Sequence, residues 1–229
     1  MKKPKVITID GPAASGKTTV ARLLAKTLGY SLLESGAFYR LVTCLLLKHN
    51  FYEDFISKKL DPKDTLEKIF SSVTVKLTPE ATQIFYEGKE INHELREIQV
   101  EERVSVVAAI PEVREFITGF LRRLVDHRLV VAEGRDMGSV VFKEAELKVF
   151  LTADEQVRAE RRYKEKVEKE VLHYGTVIDN LKKRDQLDST RKVAPLTIPE
   201  EALVLDTSNL SPEEVLQKIL SHLENLEKA

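Results

Sequence analysis

The chain has little of what secreted, membrane or nucleic-acid-coating proteins are built from. A single cysteine, Cys44, excludes an internal disulfide framework and fits a reducing compartment. It lies in "LVTCLLL", where a small buried thiol is the better reading than a nucleophile. No apolar run approaches the roughly 20 residues of a bilayer-spanning helix. The opening "MKKPKVITIDGP" breaks its apolar stretch at Asp10 and Gly11, as a first β-strand does and a signal peptide does not. Lys+Arg 36 against Asp+Glu 37 leaves a net charge of 36 − 37 = −1. That excludes a general basic surface for nucleic acid, so any polyanion site must be local. The five histidines (His49, His93, His127, His173 and His222) show no metal-ligand or catalytic spacing. There are no repeats, low-complexity tracts or Gly/Ser linkers. The composition is that of a cytosolic globular protein with neither membrane nor nucleic-acid partners.

What is present is a rhythm. The apolar runs "KVITID" (5–10), "YSLLES" (30–35), "RLVVAEG" (128–134), "LKVFLTA" (147–153) and "ALVLDTS" (202–208) are separated by helical stretches. Near-continuous apolar strands alternating with helices predict an α/β fold with a five-stranded parallel sheet between helices. Ligands bind such folds at the carboxyl ends of the strands. Here those ends carry Asp10-Gly11, Glu34-Ser35-Gly36, Glu133-Gly134-Arg135-Asp136, Thr152-Ala153-Asp154 and Asp206-Thr207-Ser208. Residues 73–92 break the rhythm: "VTVKL" alternates, and "QIFYEGKEIN" reads as a strand pair turning at Glu87-Gly88. A small antiparallel β insert is expected there, followed by helical segments 94–109 and 111–127 split by Pro111. "TADE" (152–155) has capping-box spacing and opens a charged helix through about residue 172.

"GPAASGKT" (11–18) satisfies G-x-x-x-x-G-K-[ST]. It follows a strand and opens the amphipathic "TTVARLLAKTLG", the context a P-loop requires. Residues Gly11, Pro12, Ala13, Ala14, Ser15, Gly16, Lys17, Thr18 and Thr19 then form a cradle for the phosphates of ATP. Glycines let backbone N–H groups turn inward, and the helix N-terminus adds positive potential. Lys17 reaches the outer phosphates and the Thr18 hydroxyl ligates Mg²⁺. No guanine-reading N-K-x-D follows a strand; "NLKKRD" does not fit. A compact chain with arginines on several loops points to a small-molecule kinase.

"NLKKRDQLDSTRKVAP" (180–195) places Arg184, Asp188 and Arg191 at i, i+4, i+7, one face of a helix if it continues that far. Val177, Ile178, Leu181 and Leu187 are the apolar spacing of that helix. The bland reading is a solvated stripe. As a stabilising device it is the weaker orientation, because the better pair has its acid N-terminal to its base. Arg158, Arg161 and Arg162 share a face of the preceding helix, where a solvated surface with Glu160–Lys164 and Glu165–Lys169 pairs is the alternative. Arg40 lies one turn into the helix after the second strand, and Arg135 and Asp136 follow the third. Their bland readings are a surface arginine and a mutual salt bridge.

Together with "LLESGAFYR", "VAAIPEVRE", "EGRDMGSVVF" and "RDQLDSTRKVAPL", the P-loop stretch resembles bacterial cytidylate kinases, in order and spacing, from residue 5 to about residue 220. That resemblance implies a P-loop core (about 1–35, 128–153 and 200–229), an acceptor-binding lobe (about 36–127, including 73–92) and a helical lid (about 154–192). It implies transfer of the γ-phosphoryl of ATP to CMP or dCMP with Mg²⁺, by a monomer. Ser105, Arg114 and Asp136 would read the cytosine edge. Ser35, Tyr39, Arg40 and Arg135 would hold the acceptor phosphate region. Arg184 and Asp188 would contact ribose and phosphate, and Arg191 would clamp donor to acceptor. Lys17, Arg135, Arg184 and Arg191 would be catalytic, and Arg158 and Arg162 would touch ATP. Glu133 would order Mg²⁺-bound water. Two residues depart from the family pattern: Glu34 and Glu133 stand where Asp is usual, each one methylene longer. A glycine usual near 168–170 is replaced by "EKE". A pyrimidine (UMP/CMP) kinase, another nucleoside monophosphate kinase, and a nucleotide-binding protein without transfer remain the alternatives.

Overall fold

The computed structural model describes residues 5–167 and 174–228. Five parallel strands form the central sheet: β1 Val6–Asp10, β2 Ser31–Glu34, β6 Val130–Gly134, β7 Leu147–Thr152 and β8 Leu203–Asp206, in the order β2-β6-β1-β7-β8. Every pairing within it is parallel. The buried β1 and β6 read as unbroken apolar runs because helices cover both faces. One face packs on α1 Lys17–Leu28 and α9 Pro212–Lys228, through Val20, Leu24, Val215 and Ile219. The other packs on α2 Ser35–Lys48, α5 Ile98–Ala108 and α6 Pro111–Leu124, through Leu41, Leu45, Val104 and Ile117.

Short helices α3 Tyr52–Ile56 and α4 Pro62–Ser71 lead into a second, antiparallel sheet of β3 Val73–Leu77, β4 Thr82–Tyr86 and β5 Lys89–Glu90. The turn falls at Glu87-Gly88 with φ of 50° and 79°, the two left-handed residues of a tight hairpin. Thr82 ties this sheet to the core: its hydroxyl donates to Leu32 O and accepts from Glu34 N. A 3₁₀ turn, Glu94–Arg96, precedes α5, so the segment expected to be helical from residue 94 starts its α-helix at Ile98. Pro111 sits at the first position of α6, where its missing N–H costs nothing.

Two helices follow β7: α7 Glu155–Val167 and α8 Tyr174–Thr190. The expected capping box does not form. Thr152 ends β7, and the Asp154 carboxylate caps α7 by accepting from Gln156 N at 2.8 Å. The "EKE" at 168–170 and the expected end of that helix lie outside the described residues. On α8, Val177 and Leu181 are buried as their spacing predicts, but Leu187 is exposed. No helix among the described residues is long and apolar enough to cross a membrane.

Candidate active site

The rim of the sheet gathers most of the expected residues. Gly11 leaves β1 at φ 149°, and a Cβ there would run into the carbonyl oxygen of Leu151. Ala14 and Gly16 adopt φ of 57° and 88°, so the loop curls back over the N-terminus of α1. No side chain caps that terminus, which leaves its amide donors facing the cradle. Lys17 is buried, its ammonium donating to Pro12 O at 2.5 Å and lying 3.4 Å from Ser15 Oγ. Burial and then the Arg135 charge pull its pKa down, with Glu133 and Asp10 opposing. Thr18 is half-buried and Thr19 exposed in the first turn.

Arg135 and Asp136, directly after β6, do not pair with each other. Arg135 Nε donates to Asp188 Oδ2 at 2.8 Å. Asp136 accepts from Arg114 Nη2 at 2.5 Å and lies 3.6 Å from Arg191 Nη2. Arg191 also reaches Asp188 Oδ1 at 3.5 Å, just past the end of α8. The Arg114 guanidinium lies 5.1 Å from the centre of the Tyr39 ring. Three loops and helices distant in sequence thus meet in one network of alternating charge.

Within it, several polar atoms have no partner among the described residues. Tyr39 Oη, Arg40 Nε, Arg114 Nε and Arg191 Nη2 are buried without a hydrogen bond. Arg184 makes none either. Burial and then the charge of Arg135 bring Arg184 down to about 10, with Asp188 opposing and Arg40 adding repulsion. Arg40 is likewise lowered by burial and then by Arg96. Two desolvated cations without a hydrogen-bonded acid among the described residues, beside a third, are the electrostatic outline of a missing anion. Ser35 is buried with its hydroxyl facing Gly134. Ser105 is half-buried on α5 and makes no hydrogen bond to Arg114 or Asp136.

The α7–α8 side behaves differently from expectation. Arg158 is buried and already engaged, donating to Ala153 O, Ala13 O and the Asp185 carboxylate. Arg162 pairs with Glu101 on α5 at 2.7 Å and with Glu165 at 3.0 Å. Arg161 binds Thr207, whose hydroxyl in turn donates to Ser15 O of the P-loop. All three are arginines held by protein acceptors.

Residues to which the sequence assigned no site role complete the rim. Asp10 accepts from two backbone amides of the loop after β6. Asp185 accepts from Ala13 N at 3.3 Å. Glu34 lies 3.8 Å from both Arg22 and Arg96. The only signal for Asp10 was its place at a strand end; Glu34 had that and its departure from the family's Asp, and Asp185 was hidden inside the charged stripe. No group of three or more His, Cys, Asp or Glu among the described residues is arranged to hold a metal alone. Thr18 in the first turn of α1 and the buried Glu133, on which Lys17 is the strongest nearby charge, carry hard oxygens of the kind Mg²⁺ takes when phosphates supply the remainder.

The sequence matches the cytidylate kinase family over residues 7–225. It is 40% identical over 93% of its length to a protein named cytidylate kinase from Caldanaerobacter subterraneus subsp. tengcongensis, covering 92% of that protein. It is 41% identical to one of the same name from Carboxydothermus hydrogenoformans, covering 93% of this chain and 95% of that one. Among solved structures, a gluconokinase from Sinorhizobium meliloti aligns over 99% of this chain and 95% of its own at TM-score 0.50 and 15% identity, a likeness of fold.

Proposed function

The chain belongs to the cytidylate kinase family, and from that premise we propose that it transfers the γ-phosphoryl group of ATP to CMP or dCMP, giving ADP and CDP or dCDP. The observation that carries the acceptor site is the set of buried donors without a hydrogen bond on Tyr39, Arg40, Arg114 and Arg191, beside Arg184, which no acid hydrogen-bonds among the described residues. An acceptor phosphate satisfies Arg40 and Arg184, and a planar guanidinium suits it in two-point contact. Ser35 completes that contact, and Arg135 is shared between Asp188 and the phosphate. Asp188 accepts from the ribose hydroxyls. Asp136 and Arg114 face the base edge with Ser105.

On the donor side, the P-loop amides from Ala13 to Thr19 and the Lys17 ammonium hold the β- and γ-phosphates. Lys17 must leave Pro12 O to do so. Thr18, and Glu133 through water, would hold Mg²⁺, which would supply neutralisation of phosphate charge. The acceptor phosphate is already anionic near neutral pH, so no strong general base is required. What the residues supply is alignment of two polyanions and neutralisation of the charge between them by Lys17, Arg135, Arg184 and Arg191. We assign residues 36–127 to the acceptor lobe and 154–192 to a lid over the P-loop. Closure of that lid would exclude water and restrain wasteful hydrolysis.

The test is an ADP-release assay with Mg·ATP and CMP, dCMP, UMP, AMP or GMP in turn. CMP-stimulated turnover, abolished in Lys17→Ala and crippled in Arg191→Ala, is the expected result. Equal turnover with UMP would widen the acceptor to pyrimidines in general. ATP binding without any acceptor-dependent turnover would overturn the kinase reading in favour of a nucleotide-binding protein.

A further inference from the structure

Asp10 is the last residue of β1 and the residue immediately before the P-loop. It is fully buried. Both of its carboxylate oxygens are spent on one short stretch of backbone: Oδ1 accepts from Met137 N at 2.8 Å and Oδ2 from Gly138 N at 2.7 Å. Those amides open a single π-helical turn, Met137–Val141, in which Val140 N and Val141 N both return to the carbonyl of Asp136 at 3.0 Å. Asp10 therefore supplies the acceptors that the start of this turn lacks. The same backbone is pressed directly onto β1. A Cβ on Gly138 would meet Thr8 Oγ1 at 2.7 Å, with Pro199 and Lys148 close behind.

The two residues before this turn are Arg135 and Asp136. The Asp10 bonds thus fix the backbone next to Asp136, while the chain on the other side of Asp10 becomes the cradle that ends in Lys17. Burying a carboxylate is costly, and nothing among the described residues forms an ion pair with it. Simple loop closure would not require a charge here.

We propose that Asp10 is a positioning residue: it locks the loop carrying Arg135 and Asp136 to the P-loop, so that the acceptor base and the donor phosphates are held in one frame. The inference rests on the kinase reading above, with CMP as the acceptor. It predicts a selective defect. Asp10→Asn keeps the shape but turns an amide N–H₂ against one of the two backbone donors, so the loop shifts while the cradle survives.

The experiment measures KM for CMP and for ATP, kcat, and the thermal midpoint for the full chain and its variants. Asp10→Asn is expected to raise the KM for CMP and lower kcat by about 10–100-fold together, the range seen when an orienting partner is lost, with the KM for ATP within about twofold. In an Asp136→Ala background the same substitution should change CMP affinity by less than about twofold, because its effect passes through Asp136. Gly138→Ala, which pushes the same loop off β1 with Asp10 intact, should reproduce the selective loss of CMP affinity and provides the test if Asp10→Asn does not fold. A lowered thermal midpoint with both KM values unchanged would make Asp10 structural only and overturn the proposal. So would effects of Asp10→Asn and Asp136→Ala that multiply independently. Wild-type protein without CMP-dependent turnover would instead remove the kinase reading itself, whatever the variants do.

Discussion

Arg135 donates to Asp188 at 2.8 Å across 53 positions of chain, joining the loop after β6 to the last turn of α8. This contact explains the charged stripe on α8. Its arginines and its acid face the rim, and its pair orientation serves partners on other elements instead of the helix. Burial would raise the Asp188 carboxyl, but Arg135, Arg184 and Arg191 hold it below the usual range. Arg184 shares that carboxylate without a hydrogen bond to it among the described residues.

That imbalance separates stability from activity at Arg184. Removing a half-buried cation that makes no hydrogen bond relieves its repulsion from Arg135 and gives up its attraction to Asp188, two effects of opposite sign. Arg184→Ala should therefore leave unfolding stability within about 0.5 kcal/mol of wild type. Turnover should fall by about 10²–10³-fold if the residue neutralises transferring phosphate. Urea titration and the ADP-release assay read the two quantities on one preparation.

Arg114 and Asp136 predict the opposite balance. Their side chains are each only 3% exposed and bonded at 2.5 Å. Truncating Arg114 leaves Asp136 buried with only Arg191, 3.6 Å away, beside it, which costs up to about 3–5 kcal/mol. Arg114→Ala should lower stability by that amount as well as impairing acceptor binding. The exposed Lys59–Asp54 pair, at a similar 2.9 Å, should cost no more than about 1 kcal/mol when Lys59 is replaced by alanine. Denaturant midpoints of the two variants give the comparison directly.

Gly11 and Gly16 rank by space as well as by backbone angle. A methyl at Gly16 meets nothing within 4 Å, so Gly16→Ala carries only the left-handed strain of about 1–2 kcal/mol. At Gly11 the methyl collides with the Leu151 carbonyl of the adjacent strand, and the loop must move. Gly11→Ala should lose about 1–3 kcal/mol more than Gly16→Ala, a difference that thermal melts resolve.

How far the sequence went differs between the two halves of the site. The five strands were legible because burial on both faces leaves near-continuous apolar runs, and the P-loop because its glycines answer a backbone demand that few sequences meet. The hairpin at Glu87-Gly88 announced itself through turn chemistry. Leu187 misled, since helical spacing alone does not say which apolar residue faces the core. Thr152 misled because capping-box spacing was satisfied while a strand claimed the residue first. The partners of Asp10 and Asp185 stayed invisible for a different reason. Each carboxylate binds backbone amides remote in sequence, and no local pattern encodes a partner that only the fold brings near.

Cys44 gives a pH prediction with a definite sign. Burial, then the charges of Glu97 and Glu94, push its thiol up from 9.0 to about 11. Between those values the folded protein holds a proton that the unfolded chain has released. Stability should accordingly fall as pH rises from about 9 to about 11, with no contribution from this group at lower pH. Replacing Cys44 with alanine should flatten that part of the profile of thermal midpoint against pH. Iodoacetamide at pH 8 should label the folded thiol about 100-fold more slowly than the urea-unfolded one, since two units of pKa separate their thiolate fractions.

Arg162 allows two readings that one pair of variants separates. The family resemblance places it on ATP, whereas its guanidinium bonds Glu101 at 2.7 Å and so ties α7 to α5 on the acceptor side. Both side chains of the pair are one quarter exposed, so the bond is weak enough, at about 1 kcal/mol or less, to break during a catalytic cycle. If Arg162 acts mainly as this tie, Arg162→Ala and Glu101→Gln should speed hydrogen exchange in α7 alike and leave the KM for ATP within about twofold in both. If it swings onto the nucleotide, the two variants should diverge. Arg162→Ala would raise the KM for ATP about tenfold, the effect of losing one charged hydrogen bond, while Glu101→Gln would free the arginine and lower it. The direction of the Glu101→Gln change decides the matter, because only a competing ligand gains when the protein partner loses its charge.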